Sequence, residues 1–173
     1  MELGQLEEAV KSYKAALKLK PDFVEAINNL GITFFKLHQL DDAIRSYERA
    51  IALDPDFADA HNNIGIVFSE LGQLDEAIMS YKAAITLQFN YAEAHYNLGL
   101  IFRGLKRLDG ATQSYKTEIA FQSDYTDANY NLGILYHDVG QLKMAIDSIK
   151  MAIKINPENA DTHKYLGNTF QLD

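Results

Sequence analysis

The chain has 173 residues, with 24 acidic side chains against 16 basic ones and a formal net charge of −8. That balance argues against a nucleic-acid groove, which needs a stripe of lysine and arginine to neutralise phosphates. There is no cysteine, which excludes disulfides, thiolate metal sites and cysteine nucleophiles.

The first residues, MELGQLEEAV, place acids early and lack the basic-then-apolar order of a secretory leader. No apolar run approaches the ~20 residues needed to span a bilayer. A cytoplasmic protein with no membrane partner is the expectation.

Residues 24–57, 58–91, 92–125 and 126–159 are one 34-residue unit written four times. A fixed period of this size signals a stack of similar supersecondary units. Residues 1–23 read as the second half of a unit, and residues 160–173 as the first half of another. In the leading half unit, Leu6, Ala9, Val10, Tyr13, Ala16 and Leu17 fall at helical spacing, and Pro21 stops the helix. In the first full unit, Ile27, Leu30, Phe34 and Leu37 mark the buried face of a first helix. A short turn at 38–40 follows. Ala43, Ile44, Tyr47, Ala50, Ile51 and Leu53 then mark a second helix that Pro55 ends. Pro157 holds the same place in the last unit, whereas Phe89 and Ser123 fill it in the middle copies. Those two helix ends are expected to be set by packing.

Gly31, Gly65, Gly99, Gly133 and Gly167 share one place inside the first helices. A glycine there costs about 1 kcal/mol relative to alanine. The expected reason is close approach of the second helix, with Ala9, Ala43, Ala77, Ala111 and Ala145 as the matching small residues. Gly4, Gly72 and Gly140 fall in the turn, where a left-handed residue ends a helix. His38 and Lys106 replace glycine there, so those turns are expected to be slightly strained.

The unit resembles a tetratricopeptide repeat, a helix-turn-helix of this length. The resemblance is carried by His61, Ile64-Gly65, Phe68, Ala77, Tyr81, Ala84 and Phe89, and again by Leu98-Gly99, Phe102, Ala111 and Tyr115. It implies an all-α fold, a right-handed superhelical solenoid of antiparallel helix pairs running as a single array over residues 1–173. Two departures are local: Glu118 stands where the other copies have alanine, and Ile149 replaces an aromatic. The third repeat is therefore expected to be the most loosely packed. Both ends of the array are unfinished. Either the chain is part of a longer protein, or its ends pair in a homo-oligomer.

No catalytic constellation, cofactor motif or phosphate loop appears, so the chain is not expected to be an enzyme. His61, His95 and His163 share one inward-facing place. One imidazole per repeat is too sparse for zinc, so no metal is expected, and the rings are read as core packing. In the family the first helices line a concave groove, and the binding residues are sought there. Asn29, Asn63, Asn97 and Asn131 recur at one place on it. Neighbouring first helices lie about 10 Å apart, and an extended peptide advances about 3.3 Å per residue. One asparagine would meet every third peptide residue, and its amide can pair with backbone C=O and N–H alike. This ladder is similar to that of O-linked N-acetylglucosamine transferases. An alternative is therefore the substrate-recognition arm of a glycosyltransferase whose catalytic domain lies outside these residues.

Beside the ladder stand Asn28, Asn62, Tyr96 and Tyr130, the two tyrosines being the expected anchors. Ile32, Ile66, Leu100 and Ile134 form an apolar floor, followed by Phe35, Ser69, Arg103 and His137. Glu25, Asp59, Glu93, Asp127 and Asp161 form an acidic row at the helix starts, where they complement the helix dipole. Co-chaperone repeats that clamp carboxylate tails resemble this unit but use lysines and an arginine. Here the corresponding places hold Asn28 or Asn62 and Glu93 with Asn97, so anionic tails are expected to be poor ligands. The expected partner is a protein or an extended peptide.

Overall fold

A computed structural model describes residues 3–121 and 126–171. Among the described residues there are ten α-helices and no strand. Contacts divide the protein into two compact units, Met1–Phe89 and Asn90–Asp173. The first holds α1 (Leu3–Leu19), α2 (Val24–Lys36), α3 (Leu40–Leu53), α4 (Ala58–Glu70) and α5 (Leu74–Leu87). The second holds α6 (Ala92–Gly104), α7 (Leu108–Phe121), α8 (Thr126–Asp138), α9 (Leu142–Ile155) and α10 (Ala160–Phe170).

Within each unit the helices form hairpins, α2 with α3 and α4 with α5, then α6 with α7 and α8 with α9. Three-residue turns force the antiparallel arrangement. The glycine of each first helix is explained by what faces it. A β-carbon on Gly31 would stand 2.6 Å from the Tyr47 ring, and one on Gly99 would stand 2.6 Å from the Tyr115 ring. On Gly133 it would collide with Ile149 Cδ1. The second helix does approach closely; the nearest atoms belong to its large side chain, and at Gly133 the Ala145 carbonyl oxygen also stands 3.3 Å away. Those alanines serve the same layer: Ala43, Ala77, Ala111 and Ala145 are completely buried. Gly167 has nothing within 4 Å, so this reason does not extend to it.

The turns follow the left-handed pattern. Gly72 and Gly140 have φ of 73° and 74°, and His38 and Lys106 adopt the same region with φ of 55°. Gly4 does not; it lies inside α1, because no first helix precedes it to be ended. Helix ends at the repeat boundaries do not depend on proline. Gln88, before Phe89, has φ −134° and ψ 92°, against −136° and 92° for Asp54 before Pro55. Ser123 lies outside the described residues. Leu53 is in α3 as expected but is 45% exposed at its end.

In the first unit the core joins Leu17 of α1 to Ile27, Leu30 and Phe34 of α2, Tyr47 and Ala50 of α3, and Ile64 and Val67 of α4. In the second, Leu98, Ile101 and Phe102 of α6, Tyr115 of α7, Leu132, Leu135 and Tyr136 of α8, and Ile146 and Ile149 of α9 are buried. Among the buried polar residues one is an acid. Glu118 is completely buried, and neither carboxyl oxygen has a hydrogen-bond partner. Burial, and then the nearby Asp127 carboxylate, push its pKa from 4.5 up to about 8.

Candidate binding face

Each first helix carries two consecutive polar or aromatic residues at one shared place. In the first unit these are Asn28 and Asn29 on α2, and Asn62 and Asn63 on α4. Asn28 and Asn62 are buried, while Asn29 and Asn63 are half-buried. The helices are joined by a side-chain rung: Asn63 Nδ2–H donates to Asn28 Oδ1 at 3.0 Å. The pair lies 35 residues apart, one period plus one, because neighbouring first helices are slightly offset in register.

The second unit repeats the rung with different chemistry. Asn131 Nδ2–H donates to the Tyr96 hydroxyl at 3.2 Å, and Arg103 Nη1–H donates to Asn131 Oδ1 at 2.6 Å. Asn131 is therefore engaged at both ends of its amide and is buried. Tyr96, Asn97, Arg103, Tyr130 and His137 are half-buried beside it. The same one-residue offset brings Tyr165 of α10 against Tyr130, edge to face, with centroids 5.7 Å apart. His137 packs edge-on to Tyr165 at 5.5 Å. Tyr165 holds the ladder place one period after Asn131 and was not singled out from the sequence. Adding one more 34-residue step to the asparagine series would have found it.

The electrostatics of this second patch are mixed. Burial holds the Tyr165 phenol up, Asp138 and Tyr130 add to the effect, and Arg103 opposes it. His137 Nδ1 lies 3.7 Å from Asp138 Oδ1. The buried Tyr115 phenol is also pushed well up by desolvation. A cavity of about 190 Å³ beside Tyr130 and Tyr165 is completed by Asp161, Lys164 and Asn168.

The repeated histidines differ from the core-packing expectation. His61 Nε2 lies 2.9 Å from the Pro55 carbonyl, and His163 Nε2 lies 2.9 Å from the Pro157 carbonyl. A carbonyl oxygen only accepts, so Nε2 carries the proton in both. These rings tie the start of a first helix to the preceding loop, and His163 is exposed while doing so. His95, where Phe89 replaces proline, lies against the Phe121 ring at 6.1 Å. Among the described residues no three histidine or acidic side chains are placed to hold a metal ion. Nor is any described helix long and apolar enough to cross a membrane.

The comparisons with known proteins agree with this architecture. The family described as "TPR repeat" matches residues 1–38, 33–72 and 67–105, and the one described as "Tetratricopeptide repeat" matches residues 126–159. No curated protein matches the sequence. Among solved structures, MamA is similar over 93% of this protein and 98% of its own length, at 27% identity and a TM-score of 0.81. TTC0263, a TPR protein of Thermus thermophilus, covers 98% of this protein and 92% of its own length, at 24% identity and a TM-score of 0.75. YrrB, described as a TPR protein with an unusual peptide-binding site, covers 94% and 84%, at 19% identity and a TM-score of 0.80. The last two likenesses are of fold alone. With the repeat matched over most of its length and the helix pairs in place, the chain belongs to the tetratricopeptide repeat family.

Proposed function

We propose that the protein is a non-catalytic scaffold that binds a partner protein, through an extended segment, along the face of its first helices. The observation that carries this reading is the repeated rung. Asn28 with Asn63, Tyr96 with Asn131, and Tyr130 with Tyr165 make the same 35-residue step between one first helix and the next. Within each unit the rungs hold amides or aromatic rings in place, and an extended backbone brings C=O and N–H groups about every 3.3 Å for them to meet. Asn63 and Asn131 each spend one amide hydrogen on a neighbour, which fixes the orientation of the amide. Preorganised polar groups of this kind cost little further side-chain entropy when a ligand binds. The peptide-binding site for which YrrB is described belongs to that protein; at 19% identity it lends this reading a shared fold and no shared residue.

The test is a pull-down from cell lysate with three baits: wild type, the triple change Asn63→Ala, Asn97→Ala and Asn131→Ala, and a control change of the exposed second-helix residue Lys82→Glu. Circular dichroism first establishes equal helicity. Partners lost with the triple change and kept with the control support the face. Partners kept by both variants move binding to the second helices and defeat the reading.

A further inference from the structure

Three of the four arginines have an evident structural use. Arg45 pairs with Asp42 Oδ1 at 2.8 Å, Arg49 donates to the Pro21 carbonyl, and Arg107 lies 4.5 Å over the Phe102 ring. Arg103 differs. Its partner is a neutral amide, Asn131 Oδ1, and among the described residues no carboxylate pairs with it. The nearby Asp138 contacts His137 instead. An amide orients a guanidinium without neutralising it. Four of the five guanidinium N–H groups are left for another acceptor.

The orientation is fixed from behind. Asn131 cannot turn, because its Nδ2–H is committed to the Tyr96 hydroxyl and its side chain is only 6% exposed. Tyr165 is within electrostatic reach of Arg103 and packs against Tyr130 and His137, so an aromatic cluster stands near the charge. Such a cluster lowers the local dielectric and strengthens an ion pair formed near it. The planar guanidinium fork matches a carboxylate in two parallel hydrogen bonds.

We propose that Arg103, held by Asn131, receives the carboxylate of an aspartate or glutamate within an extended peptide on this face. The inference rests on the peptide-binding reading above and adds the chemistry of one peptide position. It differs from the sequence-based expectation that anionic tails bind poorly. A peptide terminus that brings two carboxylates needs a second cation, and Glu93 and Asn97 offer none. A single internal carboxylate needs only Arg103.

The experiment is selection of peptides from a displayed random library of eight-residue segments, flanked on both sides so that no C-terminus is presented. The baits are wild type, Arg103→Gln and Asn131→Asp. The second variant keeps the arginine and the shape of the rung but places a carboxylate on the guanidinium. Wild type is expected to enrich aspartate and glutamate over asparagine and glutamine about tenfold at one position, the factor expected of one charge-assisted pair. Both variants should select without that preference. An acidic preference that survives in either variant overturns the proposal, as does a wild-type selection with none. A parallel library with free C-termini separates the sources, and an acidic preference seen only at its last residue also overturns it. Peptides that bind wild type without acidic preference, and are lost with the triple asparagine change, would leave the peptide reading standing while this inference falls. If wild type selects no peptide, both fall together.

Discussion

The boundary between α2–α3 and α4 in the first unit has a counterpart in the second, between α6–α7 and α8. Every helix bound in one lies 68 residues from its equivalent in the other, two periods of 34. Yet the side chains differ in kind. The first has Ala50 in the buried layer and an asparagine–asparagine rung on the face. The second has the buried Glu118 in that layer, and a rung made of Tyr96, Asn131 and Arg103. Two ionisable groups of opposite sign have entered the second boundary, and they do not pair with each other. The helical scaffold is thus set by positions the copies share, the glycine, the buried ring or isoleucine, and the alanines. The chemistry is free to change at the places in between.

The sharpest way to break the comparison is to remove the carboxyl that separates the two boundaries. Glu118 has a pKa raised to about 8, whereas in the unfolded protein it ionises near 4.5. Below 4.5 both states are protonated and stability does not change with pH through this group. Between 4.5 and 8 the unfolded state sheds its proton while the folded state keeps it, so stability falls as pH rises, by about 1.4 kcal/mol per pH unit. Above 8 the loss is complete. Glu118→Gln keeps the shape and removes the titration. Its stability relative to wild type, from urea melts, should be close to zero at pH 4 and reach a few kcal/mol in favour of glutamine by pH 8. A difference that does not change with pH would show that the carboxyl is solvated, and the expectation of a looser third repeat would lose its cause.

A smaller effect separates the glycines. At Gly31 a β-carbon would meet the Tyr47 ring, which is rigid and 2% exposed. At Gly133 it would meet Ile149, completely buried, with Cγ1 at 2.7 Å and Cδ1 closer still, and the Ala145 carbonyl oxygen at 3.3 Å. Alanine gains about 1 kcal/mol of helix propensity at either site, and overpacking costs about 1–3 kcal/mol. Gly31→Ala should therefore be destabilising by about 0–2 kcal/mol, and Gly133→Ala by more, because its contacts are tighter and include backbone. Thermal melts of the two variants would check the ordering. A smaller loss at Gly133 would mean that Ile149 yields where the Tyr47 ring does not.

These contrasts also mark what the sequence could and could not disclose. The repeat period, the helix pairs and the left-handed turns were legible, because each rests on a residue type recurring every 34 positions. The place of the asparagine series on the first helices was legible for the same reason. What was not legible depends on pairs that bridge two repeats. That Asn63 spends an amide hydrogen on Asn28, or that Arg103 turns toward Asn131, follows from the offset between adjacent helices, which no single copy encodes. Nor did the series of histidines reveal its use: the shared place suggested a core ring, while His61 and His163 reach back to proline carbonyls. Tyr165 was missed because the series was followed as asparagine rather than as a position.

The smallest expected effect is one the two units should share. The turn after each first helix is closed by the same two backbone bonds. His38 N–H donates to Phe35 O at 2.9 Å and Gln39 N–H to Phe34 O at 2.9 Å; Lys106 N–H donates to Arg103 O at 3.0 Å and Arg107 N–H to Phe102 O at 2.8 Å. Gly72 and Gly140 meet this geometry without strain, whereas His38 and Lys106 carry a β-carbon into the left-handed region. Replacing either by glycine relieves that strain but gives the unfolded state more freedom. The net gain should be about 0.5–1 kcal/mol for Lys106→Gly. It should be slightly less for His38→Gly, because the imidazole also stands 3.8 Å from Glu70 Oε1, an exposed contact worth little but not nothing. Urea melts of the two variants would read the difference. If His38→Gly were the larger gain, the two turns would differ in strain despite their matching φ angles. The equivalence of the two boundaries would then fail at the backbone as well as at the side chains.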